Sequence, residues 1–206
     1  MRRKPAEGSR RAGAPLSPTQ QQTLASLQYM ITTLLISVVI TMGTFKYHLI
    51  DRFINPVVTR LYLKPLGLSV LKPRGLIFLA LGWHAMATYL VLPVICSLCV
   101  ILCAKSPLDT SNPRQKVNLP GVTGRLANAQ LNLVEGLILI LGAVFSALIA
   151  GVADQKILDV LIFYISVRKM YVLAYAMDKP MARAVLFMAG ALSALYLFYL
   201  SMIKFY

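Results

Sequence analysis

Charged side chains are scarce in this sequence. Only 14% of its 206 residues are Asp, Glu, Lys or Arg, and Asp and Glu together number 7. Soluble domains carry about 25% charged residues, so the composition argues against a soluble domain. Hydrophobic residues make up 58% of the chain and come in long blocks. The sequence therefore predicts an integral membrane protein.

Metal-binding residue types are also few, with 3 cysteines and 2 histidines. Cys96, Cys99 and Cys103 follow a C-x2-C-x3-C pattern inside an apolar run. No neighbouring His or carboxylate completes a set of ligands, so we interpret the cysteines as small buried residues and predict no metal site. We interpret His84 as a packed or hydrogen-bonding residue of a helix rather than a ligand.

The formal net charge of +14 is weak support for nucleic-acid binding. The cations flank the apolar runs, where the phosphates of membrane lipids are the nearer partners. No nucleic-acid-binding motif accompanies them, so we predict lipid contacts and no nucleic acid. The absence of an internal repeat argues against a transporter.

Five apolar runs predict membrane helices, since about 20 residues span the hydrocarbon layer. They cover residues 27–45, 75–104, 132–151, 157–177 and 181–203. The last two connections are short, which predicts that the last three helices are neighbours. No run alternates polar and apolar residues, which argues against a membrane β-barrel. Pro93 predicts a kink in the second helix.

The predicted fold is an all-α membrane bundle of four helices with one extra transmembrane helix at the N-terminal end. Residues 1–22 have the composition of a basic polar tail, and residues 23–74 combine the extra helix with a basic segment suited to the headgroup layer. Residues 75–206 form the four-helix membrane domain.

Polar residues recur at helical spacing in two of the predicted helices. One face carries Arg125, Asn128, Asn132 and Glu135, and another carries Tyr164, Arg168, Tyr171, Tyr175 and Asp178. These side chains could join helices through a buried ion pair between Glu135 and Arg168, with amides and phenols as further contacts. They also supply more positive charge than helix packing requires, which favours a site for an anion.

Both stretches resemble motifs of one family. The segment GRLANAQLNLVEG (residues 124–136) resembles the R-x6-N-x2-E signature of the membrane-associated proteins in eicosanoid and glutathione metabolism, the MAPEG family, which includes bacterial and microsomal glutathione transferases. The segment RKMYVLAYAMDKPMAR (residues 168–183) is similar to that family's R-x2-Y-x3-Y stretch and the arginine opening its last helix. The resemblance covers about residues 75–206.

The resemblance implies a homotrimer of four-helix protomers that binds glutathione between adjacent subunits. By position, the glutathione-binding residues would be Arg125, Asn132, Glu135, Arg168, Tyr171 and Tyr175. Arg183 would be the catalytic residue beside the sulfur, where a cation favours the thiolate. The implied activity is that of a transferase, peroxidase or isomerase acting on a lipophilic electrophile.

The sequence departs from the family pattern at three points. Asn128 stands where a second arginine is common, Gly136 replaces a residue that is often polar, and Lys105 is the only cation at the end of the run 75–104. Together with the extra helix, these departures leave open an alternative, a non-catalytic accessory subunit of a larger membrane complex. The basic tail suits the endoplasmic reticulum or a mitochondrial membrane equally well.

Overall fold

The structure is a computed structural model that describes residues 71–103 and 121–206, with Leu119 and isolated positions between residues 28 and 39. The chain divides into two compact units, Met1–Thr32 and Thr33–Tyr206, and the helices below belong to the second. The predicted tail 1–22 lies outside the described residues, as do the extra helix 27–45, apart from those isolated helical positions, and most of the segment up to residue 74. The predicted three-part division of the chain stays a prediction.

All regular structure in the described residues is helical, which confirms the predicted all-α fold class. Helix α1 covers Pro73–Met86, and a π-helical segment, Ala87–Val91, connects it to α2, Leu92–Cys103. Helices α3, α4 and α5 cover Val122–Ile149, Asp154–Ala176 and Pro180–Phe205. The last three pack against one another, as their short connections predict.

Three helical stretches of the described part are long and apolar enough to cross a membrane: Pro73–Cys99, Val122–Ile149 and Pro180–Phe205. They support the predicted integral membrane protein. Helix α4 occupies the predicted fourth span but is not among the three, because it carries Asp154, Lys156, Asp159, Arg168 and Lys169. Since α4 packs against α1, α3 and α5, protein rather than lipid surrounds much of it.

Helix α3 begins earlier than the apolar run that predicted it. The run starts at residue 132, whereas the helix starts at Val122, directly after Gly121 with its positive φ of 78°. Amide side chains are accommodated in this first part because they bond within the helix: Asn128 Nδ2 donates to the Gly124 carbonyl at 2.8 Å. Hydropathy therefore locates the apolar part of α3 and misses its polar beginning.

Two tight turns bring α3, α4 and α5 together. Gly151, with φ of 71°, follows the end of α3, and Asp178, with φ of 55°, follows the end of α4. At each turn the next residue's N–H bonds back to a carbonyl five residues earlier, Val152 to Ala147 and Lys179 to Ala174. This is the Schellman arrangement, which closes a helix with one left-handed residue.

The core lies between α1, α3, α4 and α5. Ile77, Ile140, Ile157, Leu161 and Leu197 are fully buried there. The π-helical segment directly precedes Leu92 and Pro93, where a proline cannot donate the backbone hydrogen bond that an α-helix requires. The predicted kink at Pro93 thus coincides with a local widening of the helix.

Candidate functional site

Side chains from three helices meet around Tyr175, near the α4–α5 turn. Asn132 Nδ2 of α3 donates a hydrogen bond to Tyr175 Oη at 3.1 Å. The Arg183 guanidinium of α5 lies 4.6 Å from the centre of the Tyr175 ring, within cation–π distance. The Tyr171 ring lies edge-on to Tyr175 at 4.9 Å. We call Asn132, Tyr171, Tyr175 and Arg183 the polar cluster.

Arg168 lies beneath the polar cluster, two turns of α4 deeper in the bundle. Its side chain is 1% exposed. The guanidinium lies 5.0 Å from the ring of Phe187, 5.2 Å from that of Tyr164 and 5.7 Å from that of Tyr171. Its Nε and Nη1 atoms donate to no acceptor within the described part of the chain. The predicted residue is thus a buried cation that touches the cluster through Tyr171.

The solvent exposure of the polar face of α4 increases from the core to the end of the helix. Tyr164, Arg168 and Tyr171 are buried, Tyr175 is half-buried and Asp178 is exposed. Because α4 rises about 1.5 Å per residue, Arg168 and Tyr175 are separated by about 10 Å along its axis. A ligand reaching the cluster from outside this chain would meet Tyr175 and Arg183 before Arg168.

Arg125 lies at the edge of this site. Its Nη2 donates to the Ala176 carbonyl at 3.3 Å, and its Nη1 lies 3.7 Å from Asp178 Oδ2. The two side chains are 31% and 68% exposed, so the ion pair contributes little to stability. Arg125 therefore ties the start of α3 to the end of α4, and the structure does not bring it into the polar cluster.

Glu135 follows Asn132 by one turn of α3 but is exposed. The predicted ion pair with Arg168 is absent, and within the described residues Glu135 has no hydrogen-bond or ion-pair partner. It is exposed at the middle of α3, on a stripe that is otherwise apolar. The other exposed members of this α3 stripe are Leu131, Ile138, Gly142, Phe145 and Ile149.

Sequence reasoning missed several residues that surround Arg168. Phe187 and Gly190 of α5 contact the guanidinium, and they follow Arg183 at steps of four and three. That helical periodicity was available in the sequence and could have identified them. Gly136, identified only as a departure from the family pattern, lies against Arg168 and Tyr164.

The residues considered for metal binding do not form a site in the described part of the chain. Cys96 is buried and Cys99 is half-buried, and no group of three His, Cys, Asp or Glu side chains there could hold a metal ion. His84 is a packed residue, 3% exposed, whose ring lies edge-on to Tyr164 at 5.6 Å.

Comparison with known proteins identifies the family of the helical part of the chain. The model of the MAPEG family matches residues 76–203. No curated protein and no solved structure matches the chain.

Proposed function

Because the chain belongs to the MAPEG family of membrane proteins, which are generally associated with glutathione, we propose that it binds glutathione at the polar cluster and joins the intact tripeptide, through its sulfur, to a lipophilic electrophile. The observation that carries the proposal is the meeting of Asn132, Tyr175 and Arg183, from three helices, above the buried cation of Arg168.

The charges of the site are complementary to those of glutathione. The tripeptide has two carboxylates and one ammonium group. Arg183 offers a half-buried guanidinium, and Arg168 adds positive charge from below through Tyr171. The Tyr175 hydroxyl can donate a hydrogen bond to a carboxylate, and the Asn132 side-chain oxygen can accept one from a peptide N–H, since both Asn132 amide hydrogens already bond within the protein. Glu135, which is exposed and acidic, is the complement for the ammonium group.

Arg183 is the residue that would activate the sulfur. A cation beside a thiol lowers its pKa and increases the fraction of thiolate, which is the nucleophile. The thiol proton passes to solvent, the sulfur bonds to the electrophilic carbon, and the leaving group departs with its electron pair. The half-buried position of Arg183 near the start of α5 allows contact with both water and a substrate in the membrane.

Glu135 also bears on the quaternary structure. A carboxylate facing lipid costs about 2.5–3.5 kcal/mol at the centre of the bilayer and less towards its edge, and Glu135 lies one turn inside the apolar run 132–151. Its exposure on the apolar α3 stripe therefore favours contact with another protein chain. We propose that α3 faces neighbouring copies in a homotrimer, where Glu135 of one protomer reaches glutathione bound at the interface.

The same observation supports a second candidate function. A foreign subunit could cover Glu135 as well as a second copy could, and Asn128 donates its amide hydrogen to the Gly124 carbonyl where a family arginine would bind an anion. The alternative is an accessory subunit of a larger membrane complex, in the endoplasmic reticulum or mitochondria. A symmetric trimer after purification supports the enzyme, and a single copy among other chains supports the subunit.

The catalytic proposal is tested by the ultraviolet absorbance of the glutathione thiolate. Adding glutathione to the detergent-purified protein should produce this absorbance, and Arg183→Ala should abolish it, because Arg183 is the cation that lies against Tyr175 in the described part of the chain. Lys204→Ala, at the exposed far end of α5, is the matched control and should retain it. The rate of conjugation of glutathione to an aryl halide should likewise be retained in Lys204→Ala and lost in Arg183→Ala. Equal thiolate signals in the two variants would refute the role of Arg183.

A further inference from the structure

Two glycines on different helices lie against the guanidinium of Arg168. A Cβ atom added at Gly136 of α3 would lie 2.6 Å from Arg168 Nη2 and 2.7 Å from the Tyr164 hydroxyl oxygen. Both distances are shorter than any unstrained contact between such atoms. The end of the Arg168 side chain therefore occupies space that every residue except glycine would fill at position 136.

Gly190 of α5 lies against other atoms of the same Arg168 side chain. A Cβ atom there would lie 3.1 Å from Arg168 Nε and 3.4 Å from Cζ, a tight contact that a small movement would relieve. Together Gly136 and Gly190, the glycine pair, bound the guanidinium from α3 and α5, while the rings of Tyr164, Tyr171 and Phe187 surround it further.

We infer that the glycine pair are positioning residues, which fix the Arg168 cation beneath the polar cluster. This inference rests on the proposed function and deepens it. Arg168 is too buried to contact a ligand in this structure, so its positive charge acts on the polar cluster through Tyr171. The distance between the guanidinium and the Tyr171 ring determines the strength of this electrostatic effect. Glycine at position 136, where the family often has a polar side chain, then leaves the space that the buried Arg168 guanidinium occupies.

The atoms that would be displaced are the ends of side chains, so substitution should move Arg168 without breaking the helix contact. Gly136→Ala should shift the guanidinium and the Tyr164 hydroxyl, and Gly190→Ala should shift them less. Gly142→Ala is the matched control in α3, since a Cβ there would lie in ordinary contact, 3.6 Å from the Phe198 ring.

The first test is a double-mutant cycle on thermal unfolding in detergent. Gly136→Ala should lower the midpoint in the wild-type background and should lower it clearly less in Arg168→Ala, where the guanidinium is gone and the Tyr164 hydroxyl is the one close contact left. Gly142→Ala should behave alike in both backgrounds. Equal effects of Gly136→Ala in the two backgrounds would show that the glycine does not accommodate Arg168, and would overturn the inference even if glutathione does not bind.

The second test separates positioning from stability alone. Glutathione affinity, measured by calorimetry on folded protein, should fall about tenfold in Gly136→Ala, less in Gly190→Ala, and stay unchanged in Gly142→Ala. Unchanged affinity in Gly136→Ala, despite coupling in the unfolding cycle, would make the glycines purely structural and reject the positioning role. If the wild type binds no glutathione, the proposed function fails, and the unfolding cycle alone decides whether the pair accommodates Arg168.

Discussion

Tyr175 is the residue through which three helices make contact at the site. Its hydroxyl accepts the Asn132 hydrogen bond from α3, and its ring lies against Arg183 of α5. The ring and the hydroxyl thus have different partners, so they can be tested separately.

Tyr175→Phe removes the hydroxyl and retains the ring. We expect glutathione affinity to fall by about 2- to 10-fold, because one hydrogen bond contributes about 0.5–1.5 kcal/mol. The melting temperature should change little, since Asn132 retains its bond to the Asn128 carbonyl. Calorimetry measures the affinity, and Tyr199→Phe, on an exposed face of α5, is the control. An equal loss in both variants would show that the Tyr175 hydroxyl has no specific role.

At this scale the sequence predicts which residues meet but not how deeply they lie. Helical spacing identified Asn132, Tyr171 and Tyr175, because residues three and four apart share a helix face, and the family resemblance identified Arg183. It could not distinguish Arg168, which is buried, from Arg183, which is half-buried. It also could not assign Gly136, since the need for a glycine arises from a side chain 32 positions away.

At the scale of elements, the α4–α5 turn positions Arg183 relative to Tyr175. The turn depends on Asp178, a residue other than glycine in the left-handed conformation. Such a conformation costs an ordinary residue about 1 kcal/mol, whereas glycine adopts it freely.

We expect Asp178→Gly to stabilise the protein by up to about 1 kcal/mol, because the relief of strain exceeds the loss of a weak, exposed ion pair with Arg125. Asp178→Ala loses the same ion pair without relieving the strain, so it should destabilise. Thermal unfolding in detergent measures both. The account is wrong at this turn if Asp178→Gly lowers the melting temperature as much as Asp178→Ala does.

The helices themselves follow from hydropathy, while their polar ends do not. The apolar runs locate α1 with α2, α3, α4 and α5, because each run needs a nonpolar environment. The polar start of α3 is held by the bond of Asn128 within the helix and by the bond of Arg125 to the end of α4, neither of which hydropathy describes. The charged residues of α4 are compatible with a membrane because the neighbouring helices cover it.

At the scale of the whole molecule, the exposed α3 stripe favours contact with another protein chain. Its apolar residues could face lipid, but Glu135, near its N-terminal end, could not do so without cost. In the proposed homotrimer, a neighbouring copy covers this stripe and its glutathione receives the acidic contact from Glu135, so the proposal makes assembly and binding depend on the same surface.

Cysteine cross-linking tests this interface. Ile138→Cys, on the α3 stripe one turn from Glu135, should form a disulfide-linked dimer on mild oxidation when α3 lines the three-fold axis of the proposed trimer, because only near that axis do equivalent residues of a cyclic trimer approach one another. Leu195→Cys, exposed on α5, is the control and should remain monomeric on a denaturing gel. Cross-linking of Leu195→Cys alone would place the interface on α5 and would separate Glu135 from the site.

Glutathione binding by calorimetry tests the central claim most directly, with wild type, Arg183→Ala and Lys204→Ala compared in the same detergent. The account predicts binding by the wild type and by Lys204→Ala, with affinity about 10- to 100-fold weaker in Arg183→Ala, the loss expected for a charge-assisted hydrogen bond. No heat of binding from a folded wild-type protein at saturating glutathione would contradict the claim and favour the accessory-subunit role.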